Sequence, residues 1–320
     1  MDIAVTVLLF ALGVLLVVKG GDYFVDAASW IAEVSGIPKL IVGATIVSIA
    51  TTLPEMIVSV MAALQGKVDM SIGNAVGSAT ANLGLILAIA LICMPGIINR
   101  KDYLLKSVLM LLAALIIVVC GFSGEVNIVF SLLLMVIFII FLWENVSSAT
   151  KVLANGQGDS KDQSLTDRKT VIINIVKFIV GAAGIVIGAD LLVDNGSELA
   201  RLMGVSERII GVTLVAVGTS LPELITTITA IAKKQSALAV GNILGANIMD
   251  LTLIMPLSAV ISGKSLPVSA TSAMIDLPAC LLVGGIAVIP ALVCSKFSRW
   301  QGYVLLAVYA AYIVLTCVIV

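Results

Sequence analysis

Apolar positions along this chain gather into long runs separated by short polar stretches, at residues 3–20, 39–64, 71–95, 103–121, 126–146, 171–195, 208–232, 237–261, 267–294 and 300–319. A helix crosses a bilayer with about 20 apolar residues, so the pattern predicts ten spanning helices. Several runs exceed that minimum, which calls for tilt or for breaks within the helix. Residues 21–38 are only moderately apolar and are expected to extend the first helix. The one long polar stretch, SSATKVLANGQGDSKDQSLTDRKT at 147–170, reads as a flexible linker, too short for a folded domain. The expected architecture is therefore an all-α integral membrane protein with domains at 1–146 and 171–320, joined by the linker.

The two halves repeat one another at a constant offset of 168 residues. GATIVSIATTLPE at 43–55 returns as GVTLVAVGTSLPE at 211–223, and residues 36–55 match 204–223 at nine of twenty positions. GDYFVDAA (21–28) lies over ADLLVDNG (189–196), and SIGNAVGSATANLG (71–84) lies over AVGNILGANIMDLT (239–252). Three separate blocks share one register. Each half holds five spans, an odd number, so the second copy enters the membrane from the opposite side. Inverted repeats of this kind build their sites near the membrane midplane, where helices are discontinuous. Here the second and seventh helices carry the interruption: a proline in an apolar helix removes an N–H and clashes with the carbonyl four residues back. Those carbonyls belong to Ala50 and Gly218.

Composition supports the membrane reading. The chain is 60% hydrophobic and 12% charged, with a mean hydropathy of +1.19, against roughly 25% charged residues in soluble domains. Lysines and arginines fix the orientation. The 18 of them divide 14 to 4 between the two sides, with Lys67, Arg201, Arg208 and Lys264 on the poorer one. By the positive-inside rule, both termini face outside the cell membrane and the 147–170 loop faces the cytoplasm. The Met-Asp start carries no basic n-region, so the first run is expected to be a retained helix. The linker lacks the acidic spacing of an EF-hand. A net charge of −1 without a basic block leaves nucleic acid without a partner surface. Five cysteines, all in or beside apolar segments, form no CxxC pair and read as packing residues. There is no histidine, no nucleophile elbow and no phosphate loop, so the chain does not read as an enzyme and no cofactor is expected.

The candidate chemistry lies in the repeated blocks. Glu55 and Glu223 fall inside apolar spans, where a charge costs roughly 2.5–3.5 kcal/mol even on the lenient insertion scale. Thr51, Thr52, Thr219 and Ser220 occupy the loosened turn before each glutamate. Backbone oxygens, hydroxyls and a carboxylate thus converge within one turn, the donor set of hard cations. Two facing carboxylates would balance one divalent ion. Asn82 and Asp250 hold equivalent positions in the second block; Asp250, a third carboxylate, would bring the charge to −3 and match three Na⁺ if ionised, or serve as a neutral donor or oxygen ligand if protonated. The glycine pairs Gly73/Gly77 and Gly241/Gly245 are expected to let helices approach closely, with Asn74 and Asn242 bonding nearby backbone groups. Asp276 reads as peripheral, and Asp22, Asp26, Asp190 and Asp194 as solvated or capping.

At these blocks the chain resembles the cation/calcium exchanger superfamily, specifically its compact prokaryotic sodium/calcium exchangers. The resemblance covers ten spans, two inverted repeats and both motif pairs. It implies a diamond of four ion sites, with Thr51, Glu55, Thr219 and Glu223 on Ca²⁺. Ser48, Thr51, Ser78 and Glu55 would line one Na⁺ site, and Ala216, Thr219 and Glu223 its mate. Ser48 and Ala216 would contribute main-chain oxygen, and Asn82 and Asp250 would complete the centre. The first and sixth helices would slide across this core, giving alternating access for a single-chain antiporter. Two residues depart from the family pattern: Ala246 replaces a usual serine, and Ala50 replaces a usual glycine. The alternatives on the same scaffold are a proton- or K⁺-dependent Ca²⁺ antiporter and, from another class, a passive cation channel.

Overall fold

The computed structural model describes residues 3–96, 100–154, 167–204, 218–263 and 265–319. Within them the long apolar runs are helices: α1 (Ile3–Ser35), α2 (Lys39–Leu64), α3 (Met70–Cys93), α4 (Arg100–Ser123), α5 (Ile128–Ala154), α6 (Arg168–Leu202), α7 (Leu221–Ala232), α8 (Ser236–Ile261), α9 (Ser272–Cys294) and α10 (Arg299–Ile319). Eight of these described helices are long and apolar enough to cross a membrane. Large side chains such as Phe122, Ile139 and Trp143 point outward, as expected where hydrocarbon replaces water as the solvent. The expected extension of the first helix is present, since α1 runs on to Ser35. Its mate α6 is extended likewise, to Leu202.

The interruptions expected in the helices take a specific form. The backbone loosens to π-helical geometry at Gly43–Val47 in α2, Asn82–Leu87 in α3, Asp250–Ile254 in α8 and Ser272–Asp276 in α9. Helix α2 continues through Pro54. In the seventh helix, Pro222 sits in the first turn of α7, where its missing N–H costs nothing. Residues 205–217, which hold most of the second repeat's motif, lie outside the described residues.

The chain forms two compact units, and each takes segments from both sequence halves. In the first unit, Met1–Thr51 with Asn145–Asn242, α1 lies along α6 at backbone contact. A Cβ on Gly20 would stand 2.9 Å from the Gly181 carbonyl, and one on Gly181 would stand 2.6 Å from the Phe24 nitrogen. Small residues permit that approach, which supplies packing where lipid offers no hydrophobic drive. Phe24, Val25, Ala28, Val42, Val47, Ile185 and Leu238 form the core beside it, and the Phe24 and Phe178 rings meet at 4.7 Å. Lys233, just past α7, reaches Asp26 Oδ1 at 2.7 Å and Asp22 Oδ1 at 3.3 Å on α1. Asp190 and Asp194 are exposed, as expected, whereas Asp22 and Asp26 are ion-paired rather than merely solvated.

In the second unit, Thr52–Glu144 with Ile243–Val320, α3, α4, α9 and α10 enclose a core that includes Ile72, Leu83, Met110 and Val283. A two-residue antiparallel ladder, Glu125–Val126 with Leu266–Pro267, joins the segments after α4 and before α9; the apolar pattern gives no sign of it. Lys106 on α4 is ion-paired with Glu144 on α5, their side chains 1% and 19% exposed. Removing one partner of such a pair strands the other, so Glu144→Gln is expected to cost about 3 kcal/mol. Thermal unfolding in detergent measures this. The double variant Lys106→Met/Glu144→Gln should recover most of the loss, and a single variant as stable as the parent would refute the assignment.

Candidate functional site

The first unit holds Ser48, Thr51, Thr219, Ser220 and Glu223 from the expected set. Ser48 and Thr51 are buried on α2, one turn beyond the π-helical stretch. Thr51 Oγ1 lies 3.3 Å from the Ser48 main-chain oxygen and 3.2 Å from Asn242 Oδ1. Glu223 is fully buried (0% exposed) in the first turn of α7. The positive end of the helix dipole favours a carboxylate there. Ser220 is buried immediately before that helix, and Thr219 is half-buried. Ala216 lies outside the described residues.

The second unit holds Thr52, Glu55, Ser78, Asn82 and Asp250, all buried; Glu55 is 1% exposed and Asp250 0%. Glu55 follows Pro54 inside α2. Asn74 secures the main chain there, its Nδ2 donating to the Glu55 carbonyl at 3.1 Å and to Ser59 Oγ at 2.9 Å. Asn82 and Asp250 each open a π-helical stretch, at equivalent repeat positions. One residue added to a helical turn misaligns the carbonyl ladder and leaves main-chain oxygens available, which is why such bulges recur at functional sites. Helix α3 packs against the Asp250–Ile254 stretch. Both polar atoms of the Asn82 amide are buried without a hydrogen-bond partner among the described residues. Cys280 lies against the Thr80 hydroxyl and within electrostatic reach of Asp250; it is one of four described cysteines, all free thiols. Ala246 is fully buried and brings no hydroxyl.

Asp276 ends the π-helical stretch of α9 and accepts a hydrogen bond from Tyr312 at 3.0 Å. The glycine pairs divide. A Cβ on Gly241 would lie 3.0 Å from the Ala44 nitrogen, whereas none on Gly73 or Gly77 would meet a heavy atom of the described residues within 4 Å. Among the described residues no neighbour takes up the packing expected of Gly73 and Gly77, and Gly211, the repeat counterpart of Gly43, lies outside them. Asn74 does bond the backbone as expected, but Asn242 bonds the Thr51 hydroxyl instead, a pairing between residues 191 apart in sequence. Among the described residues, no three His, Cys, Asp or Glu side chains come together. A cation held by these residues would meet carboxylate, hydroxyl, amide and main-chain oxygens, a donor set suited to Na⁺ and Ca²⁺ and poor for zinc or copper.

The model of a family described as sodium/calcium exchanger protein matches residues 5–146 and 173–318, skipping the linker. The chain is 33% identical over 308 residues to an uncharacterized membrane protein of Methanocaldococcus jannaschii, covering 94% of each. It is 31% identical over 352 residues to the sodium/calcium exchanger MaX1 of Methanosarcina acetivorans, covering 98% of each. Inner membrane protein YrbG of Escherichia coli is 35% identical over 300 residues, with 92% of this chain and 90% of that one covered. Among solved structures, the sodium-calcium exchanger NCX_Mj soaked with 10 mM Na⁺ and zero Ca²⁺ superposes with a TM-score of 0.80 at 29% identity, covering 98% of this chain and 99% of that one.

Proposed function

The chain belongs to the sodium/calcium exchanger protein family, and on that premise we propose that it exchanges Ca²⁺ for Na⁺ by alternating access at one site near the membrane midplane. A multi-pass cation/Ca²⁺ exchanger is the starting point; the coupling ion, the site and the access mechanism are our reading. The observation that carries it is a pair of buried glutamates, Glu55 and Glu223, 1% and 0% exposed, at one register of the repeat. Each follows a proline and a hydroxyl-bearing turn. Buried carboxylates in a membrane protein mark ion pathways by default.

In this reading Thr51, Glu55, Thr219 and Glu223 hold Ca²⁺. Ser48, Thr52, Ser78, Asn82, Ala216, Ser220 and Asp250 contribute to Na⁺ or shared positions. The two ions use the same carboxylates, so the arrival of one lowers the affinity for the other. That competition couples their opposed movements without any chemical step. One chain suffices for this, at the cell membrane, with both termini outside and the 147–170 segment, whose ends extend α5 and α6, in the cytoplasm. Helices α1 and α6, in backbone contact at glycines, would move together past the oxygens of the core.

Ca²⁺ flux in proteoliposomes, with Na⁺, K⁺ and pH gradients imposed singly, tests the proposal. Flux that follows the Na⁺ gradient alone supports it. The buried Ala246, without the hydroxyl usual in the family, is the reason to include the other two gradients. Flux that ignores Na⁺ and follows pH or K⁺ would replace Na⁺ as the coupling ion, and flux indifferent to every counter-ion would mean a passive pathway.

A further inference from the structure

Thr51 carries one hydroxyl proton and has two acceptors for it: Asn242 Oδ1 at 3.2 Å and the Ser48 main-chain oxygen at 3.3 Å. All three residues are buried. The pairing with Asn242 is held by main chain. Gly43 and Gly241 sit so close that a Cβ on Gly43 would stand 3.0 Å from the Asn242 nitrogen. The repeat counterpart of Asn242 does different work. Asn74 Nδ2 donates to the Glu55 carbonyl and to Ser59 Oγ, which correspond to Glu223 and Thr227 in the second half. Yet Asn242 Nδ2 and Thr227 Oγ1 are both buried without a hydrogen-bond partner among the described residues. Asn242 is thus not a copy of that backbone strut.

A hydroxyl oxygen ligates a cation with its lone pairs, and its proton must point elsewhere. If the Thr51 proton turns to Ser48, it ties up the Ser48 carbonyl. If it turns to Asn242, both the Thr51 lone pairs and the Ser48 carbonyl stay available. We infer that Asn242 is a positioning residue that accepts the Thr51 proton and thereby sets the affinity of the first-half oxygens for the transported cation. The inference rests on the reading above, in which Thr51 and Ser48 are ligands.

The test uses the full chain in proteoliposomes, with Ca²⁺ as the probe and KM measured separately from maximal flux per folded molecule. Asn242→Leu, close in volume and lacking an acceptor, should raise the KM for Ca²⁺ about tenfold, as expected for the loss of one orienting hydrogen bond, while maximal flux falls less than about threefold. Combined with Thr51→Val it should add less than about twofold, because the proton it positions is gone. Asn242→Ala serves the same cycle should the leucine not be accommodated. An unchanged KM in the single variant, or the same rise on both backgrounds, overturns the inference. Thr51→Val with unaltered KM would instead remove Thr51 as a ligand, and the inference would fall with it.

Discussion

Glu55→Gln and Glu223→Gln are each expected to abolish Ca²⁺ exchange, by at least about 100-fold, in a protein that still folds. Glutamine keeps the shape of glutamate and one oxygen but removes the charge. A hydrogen bond or ligand contact to a charged group contributes about 1.5–3 kcal/mol, and each 1.4 kcal/mol is a factor of ten in occupancy. In the proposed site two carboxylates balance one divalent ion, so losing either would leave a net positive charge in a low-dielectric interior, a state disfavoured far beyond the lost contact. The consequences for folding should differ between the two. Glu223 occupies the first turn of α7, where a carboxylate stabilises the helix by about 0.3–1 kcal/mol. Glu55 sits within α2 after Pro54 and has no such end to complement. Glu223→Gln should therefore unfold slightly more easily than Glu55→Gln. Flux in proteoliposomes and thermal unfolding in detergent measure the two effects. Retained Ca²⁺ flux in either variant would contradict the shared-carboxylate mechanism.

Which of these features could be read beforehand depends on whether they are local in sequence. Helix positions follow from apolar length alone: α2, α3 and α10 lie within a few residues of the runs that announce them, whereas α5 runs on past its apolar run into the polar stretch, to Ala154. The offset of 168 between the glutamate motifs needs only residue identity. The π-helical openings at Asn82 and Asp250 are another matter. No residue type demands an extra member in a turn, and the bulge is stable only because surrounding helices hold it. The same holds for Asn242 and Thr51. The asparagine stands out in GNILGAN, but its partner is set by how α2 and α8 pack, which periodicity does not encode. Lys233 with Asp22 and Asp26 fails for that reason too, since lysine and aspartate near helix ends read as solvated until folding brings them together. The glycine pairs differ in the same way: GxxxG spacing permits close packing, and among the described residues a neighbouring helix makes use of it at Gly241 and not at Gly73 or Gly77.

That last distinction carries the second large effect. Gly241→Val and Gly43→Val are expected to cost most of the folded protein, whereas Gly73→Ala should be tolerated or mildly stabilising. A Cβ on Gly241 would press on the Leu40 carbonyl and stand 3.0 Å from the Ala44 nitrogen; one on Gly43 would press on the Leu238 carbonyl and stand 3.2 Å from Gly241 Cα. These obstacles are backbone atoms. They cannot rotate away as a side chain does, so α2 and α8 would have to separate within the unit that contains both segments. Overpacking a core costs about 1–3 kcal/mol when side chains can adjust; without that relief the loss should exceed about 4 kcal/mol, the range that marks a specific failure. Separation would also carry Asn242 away from Thr51, so any protein that survives should show weakened Ca²⁺ affinity. Gly73 has no heavy atom of the described residues within 4 Å of its Cβ position. Alanine there meets none of them and gains about 0.8–1 kcal/mol of helix propensity. Monodisperse yield and thermal unfolding of the three variants side by side decide the matter. Equal behaviour would mean that the glycines act through spacing in the sequence and not through the contact of α2 with α8.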